Sequence, residues 1–283
     1  MRNRAGLMAS VATAMLLVVG CKGEPAPSPS ASASEAPAAQ AVATEDAGQP
    51  TDDASAVPVG GGRKEKVAND LYEFEYAYPD AAGAIPGLKA ELDKQLDQQR
   101  EELMDSAKDD RAEAKKNGFP YHAHSYQEDW KVVASLPGWL SISSEFYTYS
   151  GGAHGMSGSD TLLWDRHAET VRKPLDLFVG KAALSKALRD PFCAALNKER
   201  GKRRGAPVVP GNDEMFNDCI DPLDQVVILG STNGQTFDRI GVLVPPYNAG
   251  PYAEGSYEVT LPVTGAVMAA LKPQYRTSFS LGK

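Results

Sequence analysis

The run Tyr72-Glu73-Phe74-Glu75-Tyr76-Ala77-Tyr78-Pro79 decides how the folded part of this 283-residue chain is read. Aromatic side chains take every second position against acidic or small ones, the two-residue period of a strand with one buried face. Pro79 ends it, because proline supplies no N–H to a ladder. The period then changes. Ile85, Leu88, Leu92, Leu96, Leu103 and Ala107 recur at steps of three and four or their sums, with Lys, Glu, Asp and Gln between them as far as Asn117. That spacing predicts a long amphipathic helix with one apolar stripe, entered at Pro86 and closed by Gly118 and Pro120. Such a stripe is best buried against one face of a sheet.

Downstream, strand-like runs fall at about 121–134 and from Trp139 to Tyr149, separated by the turn Leu136-Pro137-Gly138. In the second run Leu140, Ile142, Ser144, Phe146 and Thr148 share a face. Thr161 to Trp164 reads as a return strand, Ala182 to Arg200 as a helix, and 201–222 as a loop with a short helical piece around Asp213 to Asn217. Strands at about Gln225 to Leu229, Arg239 to Val244 and Tyr257 to Leu261, then a helix from Thr264 to Leu271, close the chain. Strands grouped together, with helices not strictly alternating, predict an α+β fold: an antiparallel sheet packed against one long amphipathic helix and shorter helices.

Upstream the composition is of another kind. Arg2 and Arg4 precede an apolar run from Leu7 to Val19, and Gly20 stands before Cys21. This is the pattern of an export signal over residues 1–20. Its apolar run is well short of the ~20 residues that a membrane-spanning helix needs. Val18-Val19-Gly20-Cys21 resembles a lipobox, which implies a diacylglyceryl and palmitate anchor on Cys21. Lys22 rather than an aspartate follows, favouring outer-membrane sorting with the protein facing the periplasm. Residues 21–66 are rich in Ala, Pro, Ser and Gly, without apolar periodicity over most of their length, and are expected to form a disordered tether. As a flexible coil this tether would span ~35–40 Å on average. The remainder, 67–283, is long enough for one sizeable core and divides into a strand-helix-strand part, 67–135, and a C-terminal part, 136–283.

The formal charge is −8, and losing Arg2 and Arg4 with the signal takes it to −10. An acidic chain is a poor partner for phosphate backbones, so nucleic acid is excluded as a partner. Apart from Cys21 the cysteines are Cys193 and Cys219. In an exported chain they are expected to form a disulfide.

Three segments carry a resemblance. They are Phe146-Tyr147-Thr148-Tyr149-Ser150-Gly151-Gly152-Ala153-His154-Gly155, then Lys173-Pro174-Leu175-Asp176-Leu177-Phe178, and Val244-Pro245-Pro246-Tyr247-Asn248-Ala249-Gly250-Pro251-Tyr252-Ala253-Glu254-Gly255. In that order they resemble the extracytoplasmic domain of the lysozyme-sensing anti-sigma factor RsiV, which is similar to the accessory domain of the peptidoglycan deacetylase PdaC. The resemblance implies an α+β domain at the cell envelope and, in one relative, direct binding of lysozyme. The chain has neither a sigma-binding segment with a transmembrane helix nor a deacetylase domain, so those two activities do not carry over.

Tested for chemistry, His122 and His124 would share a strand face as a two-point metal clamp, but two ligands alone seldom make a zinc site, and half-exposed strand histidines account for them without one. The glycine-rich segment around His154 lacks the Lys-Ser/Thr pair of a phosphate loop, and Ser157 lacks the final glycine and the helix of a nucleophile elbow. No catalytic residue, cofactor or metal is assigned. Tyr149, His154, Tyr247 and Tyr252 have two readings: ligand or partner contacts, because tyrosine offers contact area at small entropic cost, or structural parts, with His154 hydrogen-bonding across a tight glycine turn and the Pro245 to Gly255 loop folded back over the sheet edge. The basic run Lys198 to Arg204 reads as a solvated helix end or as a contact for anionic lipid or glycan. Together these features predict a non-catalytic envelope lipoprotein, tethered to a membrane through Cys21, that binds a basic protein such as lysozyme or peptidoglycan. The alternatives are an enzyme acting on envelope glycans or peptides and a structural component of an outer-membrane assembly.

Overall fold

A computed structural model describes residues 61–211 and 215–283. The signal segment, Cys21, the tether as far as residue 60 and the start of the helical piece at Asp213 therefore lie outside the described residues. Residues 61–283 fall within one compact unit.

The chain opens with strands β1 (Arg63–Ala68) and β2 (Tyr72–Tyr78), a single helical turn α1 (Asp80–Gly83) and the long helix α2 (Pro86–Asn117). It continues through β3 (His124–Ser135), β4 (Trp139–Tyr149), β5 (Met156–Asp165) and β6 (Thr170–Arg172) to helix α3 (Lys181–Arg204). Strands β7 (Val226–Gly230), β8 (Arg239–Val244) and β9 (Tyr257–Pro262) and the short helix α4 (Gly265–Ala269) complete it. The α+β class holds. Two sheets are present, one of six strands in the order β1-β2-β3-β4-β5-β6 and one of three in the order β7-β8-β9.

The expectation of an antiparallel sheet is corrected at one place: β2 and β3 run parallel, with Phe74 beside Tyr126 and Tyr76 beside Glu128. The cause is α2. Thirty-two helical residues, about 48 Å at 1.5 Å each, carry the chain back to the end where β2 began, and a parallel pair requires such a crossover. Every other pairing in both sheets is antiparallel. The tether boundary at residue 66 is likewise corrected, since β1 begins at Arg63. Its charged side chains disguise it. Arg63 bonds Asp93 at 2.8 Å and Glu65 pairs with Arg100, so the edge strand is tied to α2 by ion pairs, with Val67 adding an apolar contact to the core.

Leu88, Leu92 and Leu96 of α2 are fully buried with Phe74, Tyr76 and Trp130, as the stripe and the alternation predict. Gly118, in a left-handed conformation (φ 72°), ends the helix. Among the described residues, the opposite face of the large sheet is covered only at one end. There Trp139 and Leu163 join a second core with the β7–β9 sheet and with Leu184, Leu188, Phe192 and Leu196 of α3. Cys193 of α3 is bonded to Cys219, with Cα atoms 5.5 Å apart.

Candidate functional site

The turn joining β4 to β5 is built on three glycines. Gly151 and Gly152 have φ values of 100° and 90°, open only to residues without a side chain. Gly155 instead needs room: a Cβ there would lie 2.3 Å from the Tyr147 ring, and its N–H donates to the Tyr147 hydroxyl at 3.1 Å. Tyr149 donates to the carbonyl of Gly152 at 3.1 Å, which makes it a brace of the turn.

This turn meets the β8–β9 loop, 245–256. His154 stacks on Tyr252 with ring centres 4.0 Å apart and planes 19° from parallel. Its Nδ1 lies 2.9 Å from the carbonyl oxygen of Gly155, and its Nε2 lies 3.1 Å from the Tyr247 hydroxyl. A carbonyl only accepts, so Nδ1 carries the proton; in the neutral ring Nε2 then accepts from Tyr247. Tyr247 and Tyr252 are 5.6 Å apart, and Tyr247, held at φ 70°, remains 44% exposed. Of the four expected contact residues, His154, Tyr247 and Tyr252 form one cluster and Tyr149 braces its base.

The loop is clamped from behind by α3. Arg204 grips Glu254 with two contacts, at 2.8 and 3.2 Å, and the Tyr257 hydroxyl donates to the same carboxylate. Burial alone would raise the Glu254 pKa, but Arg204 and Tyr257 outweigh it and hold the carboxyl below its ordinary range. Arg203 donates to the backbone carbonyl of Glu254 and lies 3.9 Å over the Tyr257 ring. Arg200 is fully buried, donating to the carbonyl oxygens of Ala249 at 2.7 Å and Asp218 at 3.1 Å. Desolvation, with Arg204 adding repulsion, lowers its pKa. These contacts revise the expectation of a free solvated end for Arg200, Arg203 and Arg204, which instead satisfy the carbonyls and the carboxylate of the loop.

Beside the cluster, where the large sheet is uncovered, lies a groove of about 540 Å³. Two cross-strand rows form its floor: Glu75, Gln127, Tyr147 and Ser157, and then Ala77, Asp129, Glu145 and Ser159. Ser256 lines it from the β8–β9 loop and Lys64 from β1. Glu75 is held below its ordinary range by hydrogen bonds from Lys64 and Lys66. The face assignment of Leu140, Ile142 and Ser144 already implied that Tyr147 lay on the other side, but nothing in the sequence marks which end of that side stays open.

Glu128 went unsuspected. It alternates to the helix-covered face with Tyr126 and Trp130, is 7% exposed, and accepts from the hydroxyls of Tyr126 and Ser144, both at 2.6 Å. Desolvation, with no cation against it, raises its pKa.

The two-histidine clamp is not formed. His122 precedes β3 and is exposed, whereas His124 is buried with its Nε2 3.1 Å from Asp110 of α2. Stacked under Tyr121, it fastens the helix to the sheet. Among the described residues no three His, Cys, Asp or Glu side chains are grouped to hold a metal ion. No described helix is long and apolar enough to cross a membrane.

Residues 65–157 match the family described as Deacetylase PdaC. That third of the chain is PdaC-like. The match runs from β1 to the start of β5 and includes the His154 turn; the β8–β9 loop lies beyond it. A DUF3298 family protein from Bacteroides fragilis is 16% identical, with 78% of this chain and 93% of that one covered and a TM-score of 0.47. Another from Pseudomonas aeruginosa is 15% identical, covering 78% of this chain and 97% of that one, with a TM-score of 0.46. No curated protein matches the chain.

Proposed function

We propose that the chain is a non-catalytic binding lipoprotein of the cell envelope, anchored by lipid at Cys21 and facing the periplasm from the outer membrane. Its His154, Tyr247 and Tyr252 cluster receives a basic protein such as lysozyme, or a peptidoglycan fragment. One observation carries the reading: an imidazole and a tyrosine hydroxyl, 93 residues apart in sequence, come within 3.1 Å on an exposed corner whose backbone is clamped. Rigid exposed aromatics lose little entropy on binding, and loops fixed on a scaffold are common recognition elements. The negative charge of the chain adds attraction for a cationic partner.

The test pairs Tyr247→Ala with Tyr252→Ala in the full chain. Capture of lysozyme, or of soluble peptidoglycan fragments, should fall by ~10-fold or more if these rings are anchors. Undiminished capture of whichever ligand the parent binds would remove the cluster from recognition. Failure of the parent to bind either would remove the ligand class. Mass spectrometry of the N-terminal peptide tests the anchor, which predicts a diacylglyceryl-modified Cys21 as the first residue.

A further inference from the structure

We propose that the groove on the open face of the six-stranded sheet is a binding site for a neutral, hydroxyl-rich oligosaccharide. The inference deepens the binding function just described and rests on it in one respect: the aromatic corner is taken as the end of the same surface.

Size comes first. At about 540 Å³ the groove falls within the roughly 300–1,000 Å³ of small-ligand sites, room for about two or three sugar rings. Such sites are usually apolar, and this one is not. Its floor offers the Gln127 amide, which both donates and accepts, and the planar carboxylates of Asp129 and Glu145, which accept from neighbouring hydroxyls. Ser157, Ser159 and Ser256 can serve as either partner.

Charge narrows the ligand. Lys64 lies 3.0 Å from Glu75, and Lys131 lies 3.5 Å from Asp129 and 3.7 Å from Glu145. Each lysine of the groove is therefore already matched by a carboxylate. An anionic ligand would have to break these pairs to gain a counter-charge, in a lining where carboxylates outnumber lysines. A neutral polyol needs none, and only adds hydrogen bonds to oxygens with free lone pairs. The floor is sheet backbone with ladder partners on both sides, so its donors and acceptors keep their spacing before the ligand arrives.

The aromatic corner supplies the remaining element. Tyr147 lines the groove while its hydroxyl accepts from Gly155, the residue after His154. A chain lying along the floor thus runs toward the stacked rings of His154 and Tyr252. The apolar C–H face of a sugar ring packs against such rings, while its hydroxyls need polar partners at the edge.

The experiment titrates the full chain with chitotetraose, a neutral β-linked oligosaccharide, by calorimetry. Gln127→Ala and Glu145→Ala are the diagnostic variants, since both side chains are exposed on the sheet and bury nothing. Saturable binding is expected, weakened about 3- to 10-fold by each substitution. A flat parent isotherm overturns the proposal, as does parent binding that both variants retain in full. Tyr247→Ala with Tyr252→Ala separates the two sites. Binding lost in that pair but kept in the groove variants leaves the corner standing and overturns the groove. Loss in the groove variants with lysozyme capture intact supports the groove independently of the corner.

Discussion

Glu128 is a buried carboxyl with hydroxyl partners and no cation, and its raised pKa has a definite sign. The folded protein holds this proton more tightly than the unfolded chain does. The group's contribution to stability is therefore complete below about pH 4, the unfolded range, and disappears as pH rises through the folded value. Glu128→Gln keeps the shape and an acceptor while removing the charge. The variant is expected to resist urea better than the parent at pH 7, with the difference closing toward pH 4; a loss of stability at pH 7 would mean the carboxylate is better solvated than its burial implies. Residues of this kind are hard to foresee. His154, Tyr247 and Tyr252 stand in unusual local sequence, among glycines and prolines, and were legible for that reason. Glu128 and Arg200 sit in ordinary charged surroundings, and only the third dimension removes them from water.

The best-predicted element is α2, because its pattern is long and its apolar stripe is met by an equally regular strand. Leu92→Ala leaves a void where a side chain is fully buried, and should cost ~2–5 kcal/mol in chemical denaturation, read as a lower midpoint with an unchanged slope. A cost below ~1 kcal/mol would contradict the packing of the stripe on the sheet. Two strands, β1 and β6, were not foreseen. In β1 the alternation is between charged residues that pair with α2 and charged residues in water, a contrast that hydropathy does not register. β6 has three residues, too few for any period to show. His122 illustrates the same limit at an element's end: it stands two positions before His124, but the strand begins at His124 itself.

At the scale of the molecule, the α+β class followed from the grouping of strands, whereas the division into two sheets did not. Sheets are distinguished by which strands pair, and strands of similar composition carry no label for that. The groove is a product of the same long-range geometry, arising where the smaller sheet stops short of covering the larger. The disulfide was legible because, once Cys21 is set aside as the expected lipid site, two cysteines leave one pairing. Closing a loop of sequence separation 26, it should stabilise the fold by ~3.5 kcal/mol in the loop-entropy picture. Replacing Cys193 and Cys219 together by serine is expected to lower the denaturation midpoint and to make the protein indifferent to reductant. A parent whose midpoint does not respond to reductant, despite complete reduction shown by thiol titration, would assign the bond no such role.

In both sheets the order of strands in space is the order of strands in the chain. A polypeptide that emerges N-terminus first during synthesis can therefore add each new strand to an edge already in place, without waiting for a distant segment to arrive. The one long pause falls at α2, where a whole helix must emerge before β3 can dock, and until then β2 exposes its ladder to whatever chaperone or neighbour is at hand.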